Sequence, residues 1–361
     1  MYKELVNYLI DLVKINSIFG NEKEIADYTQ NILTNKLKNV IRFNNSLIGY
    51  NDLDNTKKTI GLIGHLDTVP VENELTGKII DGKLYGLGAS DMKGGLAVML
   101  YLIDYFMSRE SRFNLIYVFY EKEEGPFNDN GLQPLLEKYG DILKNIDLAF
   151  VLEPTNNEVQ VGAVGTINAE IIFRGKKAHS ARAWQGENAI HKSWKLIKRV
   201  NDFGIKEYPF SFNIGNRKIN ITFYELMNIT VAKSEGAKNV IPDYFYLNIN
   251  YRFSPSKTLE EAKEDIINTV KGEDAEIKFV DLAPPGKIPN KNEILLDFIS
   301  KFDLPVKPKQ AWTDVARLSL FNIDAVNFGP GDPSQAHQYN EYIPVENLYK
   351  SFEYLKEFLK F

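Results

Sequence analysis

The chain has 361 residues, and its 43 basic against 48 acidic side chains give a net charge of −5 at pH 7. This balance argues against a nucleic-acid binder, and 44% hydrophobic with 25% charged residues excludes a disordered or collagen-like chain. Because there is no cysteine, disulfides, thiol nucleophiles and iron–sulfur clusters are excluded. Any metal must be bound by His, Asp and Glu.

The most apolar stretches do not predict a membrane protein. In residues 1–15, apolar side chains recur at helical spacing and charges interrupt the run, which predicts a packed helix and not a signal peptide. Residues 96–107 contain Asp104 and are too short to cross a bilayer of about 30 Å. We therefore expect a cytoplasmic protein with no membrane contact.

Strand-like apolar runs alternate with helical periods in the first part of the chain. The pattern predicts helices at 22–38, at 91–109 and after Gly131, and strands at 59–64, 113–120 and 147–152. This alternation predicts an α/β sheet.

The pattern changes near residue 166. It predicts strands at 166–173, 218–231 and 240–253 with helices at 188–200 and 258–271, and then, after Pro284-Pro285-Gly286, helices at 292–302 and 345–359 around a strand at 325–328. We predict an α/β domain of residues 1–165 plus 284–361, interrupted by an α+β domain of residues 166–283.

The apolar run that ends at His65 and Asp67 predicts a buried strand. Positions two apart on a strand point to one face, so His65 can bind a metal while Asp67 holds its other ring nitrogen. Taken alone, a His-x-Asp pair is more often structural.

Three further carboxylates stand where elements begin or end. Asp91 follows a glycine-rich turn before a helix, so it either caps that helix or bridges two cations. Glu123 and Glu124 are adjacent after an apolar strand and repel each other unless a cation is bound. They form either a solvated acidic loop or a pair in which Glu124 binds a metal and Glu123 is a general base.

Glu153 and His337 also lie at or just beyond strand ends. With them the candidate ligands number five and would form two His–carboxylate sites that share one aspartate: His65, Asp91, Glu124, Glu153 and His337. Such a mixed set suits Zn²⁺ and tolerates Co²⁺ or Mn²⁺.

Six segments occur in the order H-x-D-T-V-P, G-x-G-x-x-D-M-K-G-G, E-E-G-P, E-P-T, A-H-S and a late histidine. Together they resemble the M20 family of dinuclear zinc amidohydrolases over nearly the whole chain. The resemblance implies a zinc-peptidase-like catalytic domain, an inserted lid or dimerisation domain, two Zn²⁺ ions per chain and a homodimer.

The resemblance also implies a role for each candidate. His65 and Glu153 would share one zinc ion, Glu124 and His337 the other, and Asp91 would bridge the two. Glu123 would be the base, and Asp67 would orient His65. His179 of the A-H-S segment would stabilise the oxyanion, often in the site of the partner subunit.

Within the family, the stretches 178–184, 312–317 and 327–346 look most like succinyl-diaminopimelate desuccinylases of the actinobacterial type. This resemblance implies substrate contacts by Arg252 and Asn239, with Arg182, Gly329 and Asn340 as further candidates. The Arg252 guanidinium suits a succinyl carboxylate, although a surface salt bridge is the alternative.

One position departs from the pattern of the proteobacterial desuccinylases. Those enzymes carry an arginine before the glycine that corresponds to Gly165, whereas this chain has Val164. The substrate carboxylates must therefore be held differently, or the substrate differs.

The expected reaction is hydrolysis of N-succinyl-L,L-diaminopimelate in lysine biosynthesis. Acetylornithine deacetylase, a hydrolase releasing lysine or ornithine from a carrier protein, and a carboxypeptidase share all of the metal residues and remain alternatives. A non-catalytic binding protein of the same fold is another, which the intact Glu123 and the full ligand set oppose.

Overall fold

A computed structural model describes residues 2–361 of the chain. The α-helices are α1 (Lys3–Lys14), α2 (Lys23–Lys36), α3 (Gly94–Phe106), α4 (Leu132–Lys138), α5 (Gly140–Leu143), α6 (Ala189–Lys192), α7 (Trp194–Phe203), α8 (Leu259–Val270), α9 (Glu293–Phe302), α10 (Val315–Leu320) and α11 (Val345–Leu359). Within residues 2–361, no helix combines the length and the apolar character needed to span a bilayer.

The strands belong to four sheets. They are β1 (Asn39–Phe43), β2 (Ser46–Tyr50), β3 (Thr59–His65), β4 (Ile79–Ile80), β5 (Lys83–Tyr85), β6 (Asn114–Tyr120), β7 (Leu148–Val151), β8 (Val159–Val161), β9 (Gly165–Arg174), β10 (Ala178–His179), β11 (Ile205–Ile214), β12 (Arg217–Lys233), β13 (Val240–Ile241), β14 (Tyr244–Phe253), β15 (Ala275–Ala283), β16 (Val306–Pro308), β17 (Ala325–Asn327) and β18 (Tyr342–Pro344).

The main sheet has the order β1-β2-β6-β3-β7-β17-β8-β16, and its centre, β6-β3-β7-β17, is parallel. Helices α1, α3 and α11 cover one face, and α4 and α10 cover the other. Strands buried on both faces need apolar side chains at every position, which explains the continuous apolar runs of β3 and β6. The α/β prediction is confirmed.

A second, antiparallel sheet has the order β11-β12-β14-β9-β15, with α7 and α8 packed on it. Its strands all fall between Gly165 and Ala283, whereas the strands of the main sheet fall before residue 162 and after residue 305. This arrangement is consistent with an inserted domain of residues 166–283, whose boundaries stay a prediction.

Most predicted central strands are confirmed to within about two residues. The predicted strand 240–253 is divided into β13 and β14, which belong to different sheets, and the predicted helix 188–200 is divided into α6 and α7. The strands absent from the prediction include all four that form the edges of the two larger sheets, namely β1, β16, β11 and β15. Edge strands are partly solvated, so polar side chains interrupt the apolar signal that identifies a central strand.

Strands β3, β6 and β7 run parallel and therefore end at the same edge of the main sheet. His65 is the last residue of β3, while the segments after β6 and β7 carry Glu123 and Glu153. The carboxyl edge of a parallel sheet is the usual place for a site, and here it collects the predicted side chains.

Candidate metal centre

The first group of ligand atoms surrounds the buried ring of His65. Its Nε2 lies 3.3 Å from Oδ1 of Asp91 and 3.9 Å from Oε1 of Glu153. That Glu153 oxygen is buried and has no hydrogen-bond partner among residues 2–361. An unpartnered, buried carboxylate oxygen is costly unless a cation neutralises it, so this arrangement fits a metal ion.

The second group consists of Asp91, Glu124 and His337. The Nε2 atom of His337 lies 3.0 Å from Oε2 of Glu124 and 3.8 Å from Oδ2 of Asp91. In each group the ligand atoms are within 4.8 Å of one another, and Asp91 belongs to both. The structure thus brings all five candidate ligands together, and their mixed nitrogen and oxygen donors fit Zn²⁺.

Asp91 lies in an irregular helical turn, residues 89–93, that precedes α3. The carboxylate of Glu341 accepts the backbone N–H groups of Gly88 and Ser90 at 2.7 Å and of Asp91 itself at 2.9 Å. Asp91 is therefore not a simple helix cap, because a second carboxylate holds its main chain. Sequence reasoning missed Glu341; its one signal is a lone acid just before the short apolar strand β18.

The side chain of Asp67 does not form the predicted hydrogen bond with the His65 ring. The Nδ1 atom of His65 is 2.9 Å from the main-chain carbonyl of Asp67 and 3.7 Å from its carboxylate. The carboxylate instead accepts the N–H groups of Glu123 and Glu124, each at 2.9 Å. The carbonyl of Asp67 therefore orients the His65 ring, while its side chain fixes the loop that carries Glu123.

A buried polar network lies behind the same loop. Asp314 accepts hydrogen bonds from Tyr120 at 2.6 Å, from Arg317 at 2.9 Å and from Asn130 at 2.8 Å. Arg317 also donates to the carbonyl of Phe127 at 2.7 Å. Residues before and after Glu123 are thus tied to the segment 314–317, which keeps the loop in one conformation.

The three glutamates of the centre, Glu123, Glu124 and Glu153, hold protons more tightly than isolated acids. Burial, with the nearby charge of Asp91, raises the pKa of Glu153 to about 7. Burial also raises the pKa of Glu123 well above its ordinary value, and neighbouring Glu153 and Glu124 add to that effect. Bringing these negative charges together is unfavourable until a cation or a proton offsets them.

The same negative charges also raise the pKa values of the two histidines. The hydrogen bond to Glu124 raises the pKa of His337 to about 9, although burial opposes it. Burial lowers the pKa of His65, but its hydrogen bond to Asp91 and the charge of Glu123 outweigh burial and raise it well above the ordinary value. Both rings are therefore held as cations until a metal replaces their protons.

His179, Arg182 and Asn239 are exposed and lie within or next to β10 and β13. The amide of Ser180 donates to the carbonyl of Asn239 at 2.9 Å. Among residues 2–361, no hydrogen bond or ion pair joins these three side chains to the ligands. Their functional roles stay predictions.

Gly329 and Asn340 are already engaged by the protein. The N–H of Gly329 donates to Thr155 at 3.0 Å, and a Cβ at this position would come within 2.4 Å of the Leu152 carbonyl. The side-chain oxygen of Asn340 accepts the N–H of Glu74 at 2.9 Å. These contacts hold the loops around Glu153 and His337, and substrate contact by either residue stays a prediction.

Arg252 lies on β14 and donates through Nε to Asn250 at 3.2 Å. Within residues 2–361, no carboxylate oxygen lies within 4.0 Å of its guanidinium, so the salt bridge considered as an alternative does not form. The guanidinium is available to an anionic ligand.

We expect zinc affinity to rise with pH between about pH 6 and pH 9. Near neutral pH, both histidine rings are largely protonated and Glu153 is about half protonated, and all three must lose their protons before two ions can bind. Chelator-competition titrations should give a slope of the overall log affinity for both ions against pH between about two and three. Affinity independent of pH would contradict the raised pKa values.

Glu341→Gln should weaken zinc binding by about 10- to 100-fold, because an amide cannot hold three N–H groups as a carboxylate does and Asp91 loses its position. The matched control is Glu346→Gln, since Glu346 is 74% exposed and pairs only with Lys350. The thermal stability of each variant should also be measured, and zinc affinities should be compared only between variants that are equally stable. Unchanged affinity in Glu341→Gln would remove the positioning role.

Comparison with known proteins places this geometry in a family. Residues 61–360 match the model of Peptidase family M20/M25/M40. The succinyl-diaminopimelate desuccinylase of Corynebacterium glutamicum is 36% identical over 358 residues, covering 96% of this chain and 94% of the relative.

Solved structures agree on the fold. A tripeptidase from Staphylococcus aureus superposes with a TM-score of 0.80 at 20% identity, over 100% of this chain and 98% of that one. The YXEP protein of Bacillus subtilis, described as a dinuclear metal binding peptidase, gives 0.70 at 14% identity, over 99% and 97%. The resemblance found in the motifs is confirmed, and the chain belongs to the M20/M25/M40 peptidase family of metal-dependent amide hydrolases.

Proposed function

We propose that this protein hydrolyses N-succinyl-L,L-diaminopimelate to succinate and diaminopimelate. The observation that carries the chemistry is the placement of Glu123, a carboxylate that forms a close group with the ligands His65 and Glu124. The choice of substrate rests on the 36% identity to the Corynebacterium glutamicum desuccinylase. We assign the reaction to cytoplasmic lysine biosynthesis.

Two zinc ions are the proposed cofactors, with Co²⁺ or Mn²⁺ as substitutes. His65, Asp91 and Glu153 would hold one ion, and Asp91, Glu124 and His337 the other. Bound there, the ions would polarise the amide carbonyl and lower the pKa of water. The dinuclear description of the Bacillus subtilis protein supports this number.

Glu123 moves the proton in the proposed reaction. Its carboxylate accepts a proton from water while the water oxygen attacks the amide carbon, and it delivers that proton to the nitrogen as the C–N bond breaks. Without metal, burial and the neighbouring carboxylates raise the pKa of Glu123, and bound cations would lower that pKa again and leave the carboxylate ionised to accept the proton. Asp67 holds the main chain of Glu123 so that the carboxylate stays beside the ligands.

His179 is proposed to stabilise the oxyanion that forms on the amide carbonyl. Its Nδ1 accepts the N–H of Ala181 at 3.1 Å, so the neutral ring carries its hydrogen on Nε2 and can donate it. Because His179 is exposed and lies away from the ligands, this role needs closure of the inserted domain or a partner subunit. We therefore propose a homodimer in which that domain is the lid or dimerisation domain.

Arg252 is proposed to bind a substrate carboxylate through paired, charge-assisted hydrogen bonds. Its guanidinium has no carboxylate partner among residues 2–361, which supports this role. Asn239 and Arg182 are further proposed contacts, since both lie on the exposed segments next to His179.

Initial rates on N-succinyl-L,L-diaminopimelate and N-acetyl-L-ornithine test the substrate. Metal-stripped protein should be inactive, and restored zinc should give rates that strongly favour the succinyl compound. Faster turnover of acetylornithine, or activity only on a carrier-linked amino acid or a peptide, would keep the chemistry and replace the substrate. Zinc binding without hydrolysis of any of them would indicate a binding protein.

Glu123→Gln should lower kcat by about 10²- to 10⁴-fold, because the amide cannot accept the proton of water. Metal analysis should still find the zinc content of the unaltered protein, since Glu123 lies outside the two proposed ligand sets. Glu137→Gln, on the exposed side of α4, is the matched control and should leave kcat unchanged. Near-normal turnover by zinc-loaded Glu123→Gln would exclude Glu123 as the base.

A further inference from the structure

The segment 310–317 follows β16 closely, runs into α10 and contains the stretch 312–317 that resembles the actinobacterial desuccinylases. Its second half is bound to residues 121–131, the loop between β6 and α4 that carries Glu123 and is called the Glu123 loop below. Arg317 donates to the carbonyl of Phe127 in that loop at 2.7 Å, and Asp314 accepts from Asn130 at 2.8 Å. The first half of the segment contacts the second sheet instead.

Gln310 attaches the segment to β12 of the second sheet. Its side chain accepts the N–H of Tyr224 at 3.0 Å and donates to the carbonyl of the same residue at 2.7 Å. Among residues 2–361, the side chain of Gln310 forms no other hydrogen bond. Two hydrogen bonds to one residue fix both the distance and the orientation of the segment relative to β12.

Trp312 binds the point at which the chain returns from the second sheet. Its indole N–H donates to the carbonyl of Pro284 at 3.0 Å, and Pro284 directly follows β15, an edge strand of that sheet. The same indole packs edge-to-face on the ring of Phe127, with 5.5 Å between the ring centres. One half-buried side chain therefore contacts both the return connection and the Glu123 loop.

Arg317 makes the contact between Trp312 and Phe127 rigid. The centre of its guanidinium lies 4.0 Å from the centre of the Phe127 ring and 5.7 Å from that of Trp312. Its side chain is fully buried, and its nitrogens donate to Asp314, to Gln133 and to the carbonyl of Phe127. A planar cation that is hydrogen-bonded and stacked in this way keeps one orientation. A displacement of Trp312 must therefore displace Phe127.

Only three residues separate Phe127 from Glu123. One of them is Pro126, whose ring fixes φ. Another is Gly125, where a Cβ would lie 2.0 Å from the ring of Phe19, so this stretch has little free space around it. A displacement of Phe127 therefore reaches the main chain of Glu123 through a short and confined connection.

We propose that Trp312 is a positioning residue that couples the second sheet to Glu123. The inference rests on the proposed function, in which Glu123 is the base and Arg252 of the second sheet binds the substrate. Substrate bound at Arg252 fixes the second sheet, Pro284 passes that position to Trp312, and Trp312 passes it through Phe127 to the Glu123 loop. The base is thus aligned when the distant part of the substrate is bound.

Hydrogen exchange at the amides of Glu123 and Glu124, measured on zinc-loaded protein without substrate, tests the coupling directly. Trp312→Phe loses the N–H to Pro284 but keeps a ring beside Phe127, and it should make exchange about 3- to 10-fold faster. Gln310→Met should act in the same direction, although it removes only contacts with β12. Unchanged exchange in either variant would overturn the proposal.

Tyr105→Leu is the matched control for the loss of an aromatic contact. Tyr105 is half-buried, packs edge-to-face on Phe106 at 5.0 Å and lies near the end of α3 that is distant from Asp91. Exchange at Glu123 and Glu124 should not change in this variant. An increase equal to that of Trp312→Phe would attribute the effect to general loss of stability and overturn the positioning role.

Steady-state rates separate positioning from loss of structure. Trp312→Phe should lower kcat by about 3- to 10-fold and change KM by less than about twofold, since only the alignment of the base is impaired. In the Glu123→Gln background, the same substitution should change the residual kcat by less than about twofold, because both changes act on one group. Equal losses in the two backgrounds would show that Trp312 does not act through Glu123.

Metal analysis and a second signature complete the test. At saturating zinc all variants should contain equal metal, and zinc lost from Trp312→Phe would show a disrupted loop and overturn the positioning role. Failure of the proposed function alone looks different. The unaltered protein would then leave N-succinyl-L,L-diaminopimelate intact, while exchange at Glu123 and Glu124 would still respond to Trp312→Phe and Gln310→Met.

Discussion

The arrangement of this protein depends on the electrostatic cost of collecting acidic side chains at one buried edge of a sheet. Asp91, Glu123, Glu124 and Glu153 meet there, and the last three have raised pKa values because burial removes the water that would stabilise their charges. Such a cluster persists in a stable fold only if cations or protons offset its charge. A divalent ion bound among these side chains would remove that cost.

Two further carboxylates stabilise the centre without belonging to the proposed ligand set. Asp67 accepts the amides of Glu123 and Glu124, and Glu341 accepts those of the turn that carries Asp91. Main-chain N–H groups satisfy these acids, so their oxygens are already occupied and do not compete for an ion. Each ligand loop is thus positioned through its backbone, which leaves the ligand side chains themselves free to bind.

The candidate metal ligands and two of the side chains proposed to act on the substrate belong to different parts of the fold. The ligands extend from the main sheet and its loops, whereas Arg252 and His179 come from the segment between Gly165 and Ala283. The proposed site therefore needs both parts of the chain.

The sequence alone predicted the central strands and the candidate ligands that follow them, because a strand buried on both faces needs a continuous apolar run and the polar residues at its end are conspicuous. From the sequence we predict that the Asp67 carboxylate holds the His65 ring. In the structure, the turn after β3 instead presents the main-chain carbonyl of Asp67 to that ring. Only the tertiary structure brought Glu341 to Asp91, 250 residues away, and Asp314 to Tyr120, 194 residues away. Contacts at such separations have no local period, since they depend on how loops from distant segments meet at one edge of the sheet.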